Sequence, residues 1–185
     1  MAVNNRKQNK ANVIEVLNKA RSMELHAIHQ YMNQHYNLDN MDYGDFAMKL
    51  KLVGLDEMRH AEKFADRIEE LGGQPTVDPA AKAVKGHKVE EVFPFDADLE
   101  DNTIATYNQF LLVCRENGDS ISAKLFELII DEEQIHHNYF DNVAQHIKDL
   151  DGTYLATIAG TPSSTGLAGQ GFVARFGGGT PQAGA

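Results

Sequence analysis

A glutamate followed 33 residues later by a Glu-x-x-His motif occurs twice in this chain, once in each half. Glu24 precedes Glu57-Met-Arg-His60, and Glu100 precedes Glu133-Gln-Ile-His136. Each leading glutamate has a tyrosine seven positions on, Tyr31 and Tyr107, and each motif is preceded by an acid, Asp56 and Glu132. All six residues lie in segments whose apolar positions recur with a period of 3.6, the signature of an α-helix with one buried face. The stripe Phe46, Leu50, Val53, Phe64, Leu71 is completed by Glu57 and His60. The stripe Phe126, Ile129, Phe140, Val143, Ile147 is completed by Glu133 and His136. Glu24 falls in line with Leu17, Ala20, Ile28 and Tyr31, and Glu100 with Ile104, Tyr107, Leu111 and Cys114. Four carboxylates and two imidazoles therefore point where a core belongs.

A buried, unpaired carboxylate costs several kcal/mol, and four together cannot all stay ionised. For one glutamate, a slightly rotated helix that lets the carboxylate reach water is explanation enough. Six residues at matched positions are not explained that way. Either these faces are open to solvent or cations neutralise them.

The helix signals place the six at one depth. The periodicity predicts helices over Asn9–Asn37, Asp42–Leu71, Asp98–Glu116, and from behind Asp119 to Asp149, with a short fifth helix over Tyr154–Ala159. Gly72-Gly73 and Asn117-Gly118 are stop signals, and Asp119 is an N-cap. Counted from the turns near Asn40 and Gly118, the four glutamates lie about 15–18 residues away, within about one helical turn of a common level at ~1.5 Å per residue. The stretch between Gly73 and Asp96, with Pro75, Pro79, Gly86 and Pro94, is a long connection that can return along a helix. The expected fold is all-α: a four-helix bundle of two antiparallel pairs joined by a crossover. Residues 1–159 form the bundle with its fifth helix, and 160–185 a Gly-rich tail whose composition reads as flexible, with Phe172, Val173 and Phe176 as its anchors.

A Glu from each of two helices plus Glu-x-x-His from each of the other two is the ligand set of di-iron and di-manganese carboxylate bundles. The i, i+3 spacing puts each pair on one helix face. Four negative charges balance two divalent cations, and mixed carboxylate and imidazole donors suit iron or manganese, whereas structural zinc favours cysteine. The single cysteine, Cys114, excludes an internal disulfide, a CxxC motif and any Cys-rich cluster. A net charge of −10 argues against nucleic acid or an anionic membrane surface as partner. The N-terminal stretch has no apolar run, since Glu15 and Asn18 interrupt Val13, Ile14, Val16 and Leu17, so a cytoplasmic location is expected. Met58 follows Glu57, and one helical step turns it about 100° away from the metal face, toward a neighbouring surface. Leu25, His29 and Met32 are turned the same way from Glu24 and are expected to form an apolar patch nearby. The remaining histidines, His26, His29, His35, His87, His137 and His146, are expected to be solvated or structural.

From Val13 to Ile147 these residues resemble the ferritin-like superfamily and, within it, the bacterioferritins. Leu55-Asp-Glu-Met-Arg-His-Ala61 is similar to the second-helix motif of that family, and Asp131-Glu-Glu-Gln-Ile-His136 to the fourth-helix motif. The resemblance implies that Glu24 and His60 hold one iron, Glu100 and His136 the other, and Glu57 and Glu133 bridge them, with Tyr31 beside the pair. It implies iron storage: Fe(II) oxidised by O₂ or peroxide, and ferric mineral kept in a shell of 24 subunits built from two-fold dimers. It also implies a haem, one per two subunits, held through Met58 at the two-fold interface, and an external electron donor as a further partner. Leu52 stands where some members carry a histidine of an inner-surface iron site. The alternative is a rubrerythrin-like di-iron peroxidase without a shell, although a lone cysteine leaves no room for an attached rubredoxin module. A DNA-binding protective shell is a third reading, disfavoured by the acidic balance.

Overall fold

The structure, a computed structural model, describes residues 2–163 and 170–177. These residues form six helices: α1 (Ala2–Asn40), α2 (Gly44–Glu70), α3 (Val89–Glu116), α4 (Ser120–Leu150), α5 (Gly152–Ile158) and α6 (Phe172–Phe176). Helix α1 packs along α2, and α3 along α4, with α1 against α3 joining the pairs. This is the expected all-α bundle with its long crossover and short fifth helix. Among the described residues no helix is long and apolar enough to cross a membrane.

The helix ends follow the stop signals closely. After α2, Gly72 N–H bonds to Glu69 and Gly73 N–H to Ile68; after α3, Gly118 N–H bonds to Arg115 and Asp119 N–H to Cys114. Both are Schellman closures, which satisfy carbonyls that a helix end leaves free. Two starts lie earlier than the periodicity predicts. The first turns of α1, before Val13, are polar and carry no apolar period to read. Helix α3 begins at Val89 rather than Asp98 and carries Pro94 inside it. The proline forfeits one hydrogen bond near the helix start. Burial of Val89, Val92 and Phe93, at about 1.5–3 kcal/mol for a large apolar side chain, outweighs that loss. Lys88 N–H also donates to Glu91, closing the first turn.

The crossover, residues 71–88, is therefore shorter than expected and runs along α1. Asn18, Arg21, Ser22 and Gln30 satisfy its backbone: Ser22 donates to Asp78 O, Arg21 to Thr76 O, and Gln30 both donates to and accepts from Val84.

The core consists of two apolar layers. One gathers Tyr31, Phe46, Phe93 and Phe140, and the other Leu17, Phe64, Tyr107 and Phe126. On α2 the residues between the layers are 54–63, and on α4 they are 130–139. These stretches contain both Glu-x-x-His motifs.

Asp119 anchors one end of the bundle. Its carboxylate accepts from Ile121 N–H and Ser122 N–H, and from Arg67 of α2 at 2.9 Å through both oxygens. Burial would raise its pKa, but the bonds from Ser122 and Arg67 hold it below the ordinary aspartate range. Asp119→Ala is expected to cost about 1–2 kcal/mol, the usual loss for an N-cap, and to lower the melting temperature by roughly 2–8 °C for a chain of this size. Because the folded pKa is depressed, this contribution is present above the unfolded value near pH ~4 and is lost as pH falls through the folded value. A melt that does not change, or a gap between the two proteins that persists at pH ~2, contradicts it.

Candidate dinuclear metal centre

Glu57 and His60 lie one turn apart on α2, Glu133 and His136 one turn apart on α4, Glu24 on α1 and Glu100 on α3. None is more than 2% exposed. The faces are buried, which removes the first of the two possibilities the sequence leaves. Two overlapping groups of donor atoms lie within 4.8 Å of one another: Glu24, Glu57, His60 and Glu133, and Glu57, Glu100, Glu133 and His136. Glu57 and Glu133 belong to both groups. All six residues singled out from the repeat come together in one bundle.

The arrangement is close to two-fold. His60 Nδ1 is 2.9 Å from Glu57 and 3.1 Å from Glu133 Oε1; His136 Nδ1 is 3.0 Å from Glu133 and 3.1 Å from Glu57 Oε1. Those two Oε1 atoms are buried and form no hydrogen bond. Buried lone pairs in a closed cluster with no well-aligned donor are what a cation would satisfy.

The charges point the same way. Burial, reinforced by the carboxylates of Glu133 and Glu57, raises Glu24 and Glu100 well above the ordinary carboxylate range. Burial alone would lower both histidines, but the carboxylates around them, Glu133 first for His60 and Glu57 first for His136, hold both well above the usual value. Burial would raise Glu57 and Glu133 too, yet the two imidazoles keep them lowered. Protons shared among these carboxylates and imidazoles make one way to offset the charge. Four carboxylates with two divalent cations make another. The donors fit a pair of such cations.

Around the six, the two halves exchange partners. Tyr31 Oη on α1 donates to Glu100 on α3, and Tyr107 Oη on α3 donates to Glu24 on α1. Burial first, then the adjacent glutamate, raises both phenols, so they remain donors. His60 Nε2 lies 2.8 Å from Glu132 of α4, and His136 Nε2 faces Asp56 of α2 at 3.6 Å. An acid at Nε2 favours the proton there and leaves Nδ1 directed at the cluster. Of these four, only Tyr31 is expected at the site from the sequence; Tyr107 reads there as part of an apolar stripe, and Asp56 and Glu132 as acids beside the motifs. The signal was present in the repeat, because each stands at the same offset in both halves.

Met58 is 54% exposed, as its rotation from the metal face predicts. It lines a groove of about 680 Å³ between α1 and α2. The α1 wall is Arg21, Leu25 and Ile28 rather than the expected His29 and Met32. Ile28 is partly exposed instead of in the core, and Met32 instead packs near Gly54. Leu52 is fully buried. Of the other histidines, His35 is buried with Nδ1 2.8 Å from Ala47 O, while His87 and His146 lie against Phe95 and Tyr154.

Fold and site together give a four-helix bundle with the donor set of the dinuclear carboxylate class. Residues 14–160 match the ferritin-like domain family. The chain is 63% identical to the bacterioferritin of Desulfovibrio desulfuricans over 91% of its own length and 94% of that protein. It is 32% identical to the bacterioferritin of Mycobacterium leprae over 72% of its length and 84% of that one. Its structure superposes on the crystal structure of the Desulfovibrio desulfuricans bacterioferritin, which reports the diiron site in different catalytic states, with a TM-score of 0.87, 62% identity and coverage of 91% and 98% of the two chains. For the Mycobacterium tuberculosis bacterioferritin the TM-score is 0.76 at 30% identity, covering 80% of this chain and 93% of that one. The chain belongs to the bacterioferritin family of ferritin-like proteins.

Proposed function

We propose that this protein oxidises and stores iron, with ferrous iron as the substrate of a ferroxidase centre inside each bundle. The observation that carries the reading is the closed set of six buried donors in which Glu57 and Glu133 serve both halves. Glu24 and His60 bind one ion and Glu100 and His136 the other, with Glu57 and Glu133 shared. Bound as a pair, two ferrous ions supply two electrons to O₂ or peroxide, which avoids a one-electron product.

The protein's own part is orientation and charge. Tyr107 and Tyr31 fix one oxygen of Glu24 and of Glu100, leaving the other to bind. Glu132 holds the Nε2 side of His60, and Asp56 faces that of His136 at 3.6 Å. The apolar layers on either side exclude water and strengthen every charge interaction between them. The carboxylate-rich set favours the more highly charged ferric product. Anaerobic ferrous titration is expected to saturate at about two ions per chain, the capacity of such a ligand set. Saturation at one ion or none contradicts the assignment.

The groove at Met58 supports haem as a second group. It is largely apolar, with Arg21, Arg59 and Glu62 among its lining residues, lies on the outside of the bundle, and presents an exposed thioether, a known axial ligand of haem iron. A two-fold related copy would bring a second Met58, so the stoichiometry is one haem per two chains. We place these dimers in a shell of 24 subunits, in keeping with the family, which light scattering tests. A stable monomer or dimer instead favours a rubrerythrin-like oxidoreductase served by an external electron donor.

A further inference from the structure

The two halves of the centre repeat each other chemically, but they are not covered alike. Each histidine is backed by an acid from the facing helix, His60 by Glu132 and His136 by Asp56. The Glu132 side chain is 29% exposed, and that of Asp56 only 5%. Helix α6 makes the difference. Phe172, 3% exposed, packs edge-on to the His136 ring at 6.1 Å between centroids and lies 4.8 Å from the Tyr139 ring. Val173 N–H donates to Asp56 Oδ2 at 2.9 Å, while Arg59 donates to Asp56 Oδ1 at 2.6 Å.

The approach is so close that any side chain at Gly171 would push the Asp56 carboxylate and Arg59 aside. A Cβ on Gly171 would stand 1.8 Å from Asp56 Oδ1. Five residues cannot hold a helix by their own backbone bonds, so docking on α2 and α4 is what orders this segment. The chain is also pinned shortly before it: Gly160 N–H bonds to Asp42 O, and Thr161 Oγ1 accepts from Asp45 N–H at the start of α2. Docking of α6 is thus an intramolecular event at high effective concentration.

We propose that residues 170–177 are a latch that closes the α2/α4 face over His136 and makes the two metal positions unequal. A cation held by Glu57, Glu100, Glu133 and His136 exchanges slowly with solvent, because Phe172 and the Val173–Asp56 bond must part first. A cation held with Glu24 and His60 exchanges quickly, past the half-open Glu132. The inference rests on the proposal that the six residues hold two cations. It assigns a task to a segment that composition alone reads as a flexible tail.

The test is release of Co(II), followed by its visible absorption after anaerobic loading and mixing with excess EDTA. The full chain is expected to bind about two cobalt ions and to lose them in two phases of equal amplitude, with rates at least about tenfold apart, since the slow one waits on local opening. In Phe172→Ala, and in a chain ending at Ser163, the slow phase should approach the fast one while loading stays at two. Circular dichroism confirms that the point variant is folded. Equal release of both ions from the full chain, or two phases unchanged in Phe172→Ala, overturns the latch and leaves the metal centre standing. Failure of the full chain to load two cobalt ions overturns the metal centre and the latch with it.

Discussion

Glu133→Ala is expected to abolish rapid ferrous oxidation while leaving the four helices folded. Glu133 belongs to both donor groups and contacts both histidines through Nδ1. Its removal therefore damages both metal positions at once, unlike loss of Glu24 or Glu100. Changes to groups that only support a ligand already cost roughly 10–100-fold, so loss of a shared ligand should exceed about 100-fold in the fast phase. The fold does not depend on it. The apolar layers on either side hold the helices. Stopped-flow absorbance and circular dichroism measure the two halves of this expectation. Fast oxidation that survives in the variant removes Glu133 from the centre; lost helicity would make it a folding residue.

Met58→Leu should lose the haem altogether and keep the ferrous chemistry. Leucine preserves most of the apolar volume in the groove formed with Leu25, Ile28 and Leu55, so the shape of that surface is retained. It removes the sulfur, and no other thioether lines the groove. Glu57 and His60, on the buried face of the same helix, are untouched. The Soret band is the readout, with ferrous oxidation as the control. A variant that retains haem with an unaltered spectrum shows that Met58 only packs an interface.

What the sequence made legible follows from the kind of signal each feature leaves. Glu57, His60, Glu133 and His136 interrupt stripes that burial would otherwise make apolar, and so they stood out. Glycine pairs and an aspartate cap mark helix ends by local chemistry, and Gly72, Gly118 and Asp119 lie where those rules put them. Features that depend on tertiary contact left weaker traces. The start of α3 was hidden by Pro94, a breaker whose local cost is outweighed by burial that cannot be counted before the bundle is known. The Tyr31–Glu100 and Tyr107–Glu24 bonds join residues far apart in the chain. Asp56 and Glu132 each serve the histidine of the other half, which a reading along one helix does not reveal. Helix α6 follows a Gly-rich stretch, and its order comes from Asp56 and Tyr139 rather than from its own sequence.

In the proposed centre, one bundle holds two iron ions between the shared carboxylates of Glu57 and Glu133. Anomalous diffraction at the iron edge, from crystals soaked anaerobically in ferrous salt, tests it most directly. Two peaks are expected in every chain, one among Glu24, Glu57, His60 and Glu133 and the other among Glu57, Glu100, Glu133 and His136. A single peak, or iron found only at surface carboxylates, would contradict it.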